Sequence, residues 1–163
     1  MKTKKNQTVR ILNAQTQLLN YKIWEMQMIN SPLLDAQEKD SQYVASKNLR
    51  LPNDESEVTV SIYFGGDDQL GSARLKILRT NKPSLYIKTS TDDILMGNCR
   101  ELIGNVLAIA ADITDSNQNP ENNKTILRVI IKQGNNRIYD DNHTIDVGNE
   151  GATASFTHYI TFY

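Results

Sequence analysis

The stretch EVTVSIYFGGDDQLGSARLKILR, residues 57–79, decides the fold class. In its first half Val58, Val60, Ile62 and Phe64 alternate with Thr59, Ser61 and Tyr63. Successive side chains on an extended strand point to opposite faces, so this segment has one apolar and one polar side. Gly65-Gly66-Asp67-Asp68 is turn chemistry. Ala73, Leu75 and Ile77 then resume the alternation. Half-buried strands with this period are the material of an antiparallel β protein.

Downstream the same period continues. Asn81-Lys82-Pro83 reads as a turn, LYIKT (85–89) as a short strand, and 90–104 as an irregular stretch. NVLAIAADIT (105–114) sends Leu107, Ile109, Ala111 and Ile113 to one face. TILRVIIK (125–132) is apolar on both faces, which suits a central strand covered on both sides. Gly134-Asn135-Asn136 signals a hairpin. RIYD and TIDVG follow as short strands, with DDNHT (140–144) between them as a turn. SFTHYITFY (155–163) places Phe156, His158, Ile160 and Phe162 on an inner face, and Thr157, Tyr159, Thr161 and Tyr163 on an outer one. Its apolar residues run to the end, so this strand is expected to be tied into a sheet. Residues 57–163 are therefore read as an all-β, immunoglobulin- or C2-like antiparallel β-sandwich.

Upstream the pattern differs. Residues 8–30 contain no Gly or Pro, and Pro32 follows. Leu12, Leu19, Ile23 and Met26 recur at helical spacing, with Tyr21, Trp24 and Met28 as an adjoining stripe. This predicts an amphipathic α-helix of about 20 residues with a wide apolar face. Residues 33–56 are polar and read as a surface linker with a short helix around 35–47. The domain reading is a helical arm and linker over 1–56 and a sandwich over 57–163. Leu19, Ile23, Trp24, Met26 and Met28 are the candidate partner-binding residues, because aromatic and Met side chains suit helix-in-groove contacts.

Composition narrows the function classes. The chain has 18 basic and 19 acidic residues, a net charge of −1. That balance gives no electrostatic footprint for nucleic acid. The single cysteine, Cys99, permits no intrachain disulfide and reads as a buried or incidental thiol. No transmembrane segment is read, since the longest apolar run is Val106 to Ala111. MKTKKNQTVRILNAQTQ breaks into polar residues before any signal h-region forms. As written, the chain is expected to be cytoplasmic, with signal-less export as the other route.

The search for chemistry returns little. GxSxG, HExxH, CxxC, GxGxxG and P-loop patterns are absent. His158 reads as a core histidine and His143 as a turn residue. The chain is read as non-catalytic, with no cofactor. Asp115, Asn117 and Asn119 match the first ligand positions of an EF-hand loop, but Pro120 and Ile126 break the rest of that pattern. A weaker Ca²⁺ set adds the loop acids Asp140 and Asp141. Tyr159 and Tyr163, with Tyr63 and Tyr86, form a possible ligand face for a carbohydrate or a protein. The expected function is a structural or protein–protein interaction module, a subunit of a larger assembly that associates through its N-terminal helix. The rivals are a lectin-like or Ca²⁺-dependent ligand-binding sandwich and an enzyme whose site is assembled from dispersed residues.

Overall fold

Residues 57–79 form two strands that part company, each entering a different sheet. In the computed structural model, which describes residues 37–39, 41–65, 69–117 and 123–163, the strands are Gln37–Lys39 (β1), Gln42–Leu49 (β2), Glu57–Gly65 (β3), Gln69–Leu78 (β4), Leu85–Ile87 (β5), Thr91–Asn98 (β6), Val106–Asp115 (β7), Lys124–Gln133 (β8), Asn136–Asp146 (β9) and Thr153–Phe162 (β10), with a short helix Cys99–Leu102 (α1) before β7. The predicted N-terminal helix, with Leu19, Ile23, Trp24, Met26 and Met28, lies outside the described residues. So do Asn119 and the Asp67-Asp68 turn.

The protein is all-β. One sheet has the order β1-β2-β10-β7-β4-β5, the other β6-β3-β8-β9. Neighbours are antiparallel except β2 and β10, which run parallel. The facing residues merge into one apolar layer. Val58, Val60 and Ile62 of β3 and Leu127, Val129 and Ile131 of β8 meet Leu75 and Ile77 of β4, Leu107 and Ile109 of β7, and Phe156, Ile160 and Phe162 of β10. The period-two reading of 57–64, 73–77, 107–113 and 156–162 therefore identifies inward faces, with Phe64 only partly buried. The Gly134 turn joins β8 to β9 through two residues, with φ of +52° at Gly134, a geometry that glycine favours at the first position of a tight hairpin.

Three local expectations change. The described residues of 35–47 are strand, not helix: β2 buries Tyr43, Ala45 and Leu49 and pairs along its length with β10. Lys47 interrupts its alternation, and its partner lies about a hundred residues away in sequence, so local pattern does not reveal it. The region read as a surface linker thus contains sheet. Residues 90–104 hold β6 and α1, with Asn98 capping the helix by accepting from the Glu101 N–H. RIYD and TIDVG are one strand, β9, so DDNHT is not a turn and His143 lies on a strand. The apolar outer face of β8 is buried at Ile130, flanked on the same face by Arg128 and Lys132, whose apolar stems suit such a position.

Strand directions fix which loops share an end. The pairings alternate direction from β3 to β10 in chain order. The β3–β4, β5–β6, β7–β8 and β9–β10 connections therefore gather at one end of the sandwich, and β2–β3, β4–β5, β6–β7 and β8–β9 at the other. Counting β6 as a strand moves Asp115 to the same end as Asp92 and Glu150.

The last strand is tied in as expected. Tyr163 N–H donates to Leu49 O at 3.0 Å, and Leu51 N–H donates to Tyr163 O at 2.9 Å. Phe162 is fully buried. Phe162→Ala should cost about 3–5 kcal/mol in urea unfolding. A Cβ on Gly71 would sit 2.2–2.8 Å from atoms of Phe64, so Gly71→Ala should cost about 1–3 kcal/mol through overpacking. A wild-type midpoint for either variant would contradict this packing.

Candidate functional site

The two sheets leave two lateral seams, and their chemistry is opposite. At one seam β9 faces β2 and β10. The inward row of β9 is Tyr139, Asp141, His143 and Ile145, set by the register Ile131–Tyr139, Val129–Asp141 and Leu127–His143. Tyr43 of β2 stacks on His143 with ring centroids 3.6 Å apart and planes 13° apart. Its hydroxyl donates to Asp141 Oδ2 at 3.2 Å. His158 Nδ1 lies 3.2 Å from Tyr139 Oη and 3.6 Å from Asp141 Oδ2. The Nε2 atoms of His143 and His158 are buried without a hydrogen-bond partner.

Burial governs the titration of this cluster. His158 is 1% exposed. Desolvation pulls its pKa down to about 4, against the opposing pull of the Asp141 charge. Tyr43 is pushed up to about 12, first by burial and then by the charge of Asp141. Tyr139 is raised further, again chiefly by burial. A histidine held neutral beside a carboxylate and two phenols has the groups for proton transfer. His158 itself is buried, and the cluster ties β2, β9 and β10 together across the seam.

The other seam, between the edge strands β5 and β6, is apolar and open. Leu75, Ile77, Pro83, Leu85, Leu95 and Met96 line a cleft of about 350 Å³. Leu85 is 38% and Leu95 56% exposed. Lys82 Nζ and Glu101 Oε2, 3.1 Å apart, form an ion pair at the rim.

The remaining sequence candidates do not converge on one point. Asp140 points to the outer face of β9, where Arg128 donates to it twice at 2.8 Å and Arg137 once at 2.7 Å. The Arg128 bonds hold its carboxyl below the usual range. Asp141 faces inward, into the polar seam. Asp115 is fully buried at the end of β7, where Oδ1 accepts from Gln69 Nε2 at 2.9 Å and from the Asn117 N–H at 3.0 Å. Its Oδ2 is buried without a hydrogen-bond partner. Among the described residues no group of three or more His, Cys, Asp or Glu could hold a metal ion. Tyr159 is partly buried on the outer face of the six-stranded sheet, and Tyr163 is exposed at the end of the chain. Tyr63 stands on the other sheet, bonded to Asp92, so the tyrosines do not form one platform. Cys99 is buried, with its thiol pKa raised by burial and by Asp54. No helix among the described residues is long and apolar enough to cross a membrane.

Compared with protein-family models, curated proteins and solved structures, the chain matches none.

Neither seam was singled out by sequence motifs. The period-two row Tyr139, Asp141, His143, Ile145 carries the signal for the polar one, but it is visible only if β9 is read as continuous. Tyr43 and the cleft residues Pro83, Leu85, Leu95 and Met96 belong to segments with no distinctive spacing, while Leu75 and Ile77 read only as inward strand residues.

The polar seam makes stability pH-dependent. The unfolded chain binds a proton at His158 near pH 6.5 and the folded chain only near 4, so stability is lost as pH falls through that window. The loss should reach about 3 kcal/mol and level off below it. Urea unfolding of wild type and His158→Asn between pH 7 and 4 measures this. The variant should show a shallower slope, and equal slopes would remove His158 as the cause.

Proposed function

We propose that this protein is a non-catalytic structural or protein–protein interaction module, a subunit of a larger assembly that associates through its N-terminal helical segment. We further assign its sandwich to the immunoglobulin or C2-like kind, on strand number and size. The observation that carries the functional reading is the open apolar cleft between β5 and β6. Edge strands with exposed leucines expose apolar surface and unpaired backbone to the surroundings. The polar seam on the opposite side is closed by its own side chains. The sandwich therefore has one polar seam closed by its own side chains and one open apolar seam, which suits an interaction module better than a catalyst.

A second reading has one specific observation in its favour. The buried Asp115 Oδ2 lies at the same end of the sandwich as Asp92, at the start of β6, and Glu150, in the β9–β10 connection, although the three do not form a metal-holding group. A Ca²⁺-dependent ligand module would use such an end. Calcium specific for the folded state would raise the melting temperature with concentration. Under the interaction reading, millimolar CaCl₂ leaves the midpoint unchanged, in wild type and in Asp115→Asn alike.

The main reading is tested by light scattering of the full chain and of a full-length Ile23→Glu/Trp24→Glu variant. The wild type is expected as a multimer, and the variant as a folded single chain that melts at or below the wild-type temperature, because self-association stabilises the folded state. A wild type that stays a single chain at high concentration overturns the reading.

A further inference from the structure

Resting on that reading, we propose that the cleft between β5 and β6 receives the N-terminal segment, residues 8–30, of a second copy of this chain. Copies would then join head to tail.

Chain geometry supplies the first argument. Thirty-six residues precede Gln37, the first residue of β1. In the six-stranded sheet β1 is one edge and β5 the other, roughly 24 Å apart at the usual strand spacing. The root of the segment and the cleft are on opposite sides of the molecule.

Two routes to a chain's own cleft carry charges. Across the outer face the register row runs Val44, Thr157, Ala110, Arg74, Tyr86, with Lys76 beside it. Across the end of the sandwich that holds the β2–β3 and β6–β7 connections stands Glu55 paired with Arg100. An apolar stripe laid over either route would desolvate these charges at a cost. A segment offered from a second copy approaches the cleft from solvent and meets only the Lys82–Glu101 pair at its rim.

The two surfaces match in kind. Residues 8–30 carry only three charges, Arg10, Lys22 and Glu25. The cleft is apolar, and the rim charges Lys82 and Glu101 neutralise one another. As a helix the segment would be about 35 Å long and 10 Å wide, too thick to sink into about 350 Å³. It would lie along the seam and insert a few large side chains, with Trp24, Met26 and Met28 as anchors, in the manner of an amphipathic helix in a groove. Because segment and cleft are different surfaces, the contact is heterologous and generates rings or open chains of subunits.

Complementation tests this with full-length chains. One variant, Leu95→Arg, blocks the cleft and keeps the segment. Ile23→Glu/Trp24→Glu disables the segment and keeps the cleft. Leu95 is exposed, so its change spares the core, and Leu85→Arg serves as an independent block. Each variant alone should have the mass of one chain, and their equimolar mixture should give a two-chain species that grows no further. If both cleft variants assemble as wild type does, the segment docks elsewhere: the inference falls while the assembly reading stands. If each variant is a single chain and the mixture stays so, the cleft is not the receptor for a second copy, and the inference falls. If wild type is itself a single chain, both fall.

Discussion

The pairing of β10 with both β2 and β7 is the constraint on which the rest of the structure depends. β10 runs parallel to β2 and antiparallel to β7, and its inward row Phe156, His158, Ile160 and Phe162 is almost wholly buried. It stitches the beginning of the described sheet to the end of the chain. Without it β1 and β2 would lose their only connection to the six-stranded sheet, and the core would lose its two largest fully buried side chains. Non-local closure of this kind is slow to form, because the loop entropy is spent before the contacts exist.

The same strand creates the asymmetry between the seams. His158 interrupts the apolar row of β10 and projects toward the polar inner row of β9. That side closes through Tyr43, Tyr139, Asp141 and His143, whose hydrogen bonds are local to the seam. On the other side the sheets end in β5, three residues long, and β6, whose register with β3 shifts twice. Short and bulged edge strands resist indiscriminate strand addition. The cleft between them therefore favours side-chain insertion over backbone pairing.

Much of the sandwich was legible in the sequence where one face meets water and the other the core. The strands at 57–64, 73–77, 107–113 and 156–162 have that property, and period two identifies their inward residues. Legibility failed where burial was incomplete or came from distant pairing. β2 has Lys47 in its inward row and borrows its register from β10. β6 is bulged, so its apolar residues keep no period. β9 is polar on both faces through Asp140–Thr144, and polar runs resemble turns. That last failure hid the polar seam, since Asp141 and His143 looked like loop residues. Asp140 and Asp141, adjacent in sequence, are sent to opposite faces by the pleat, which separates two of the proposed Ca²⁺ ligands.

Cross-linking of mixed isotopic copies addresses head-to-tail docking most directly. Unlabelled and ¹⁵N-labelled full chains are mixed, treated with a lysine-reactive cross-linker and digested. Lys22 lies in the N-terminal segment and Lys82 at the rim of the cleft. Docking between copies gives Lys22–Lys82 links that join a labelled to an unlabelled peptide. Lys22–Lys82 links found only within one isotope, or Lys22 links that never reach Lys82, would contradict it.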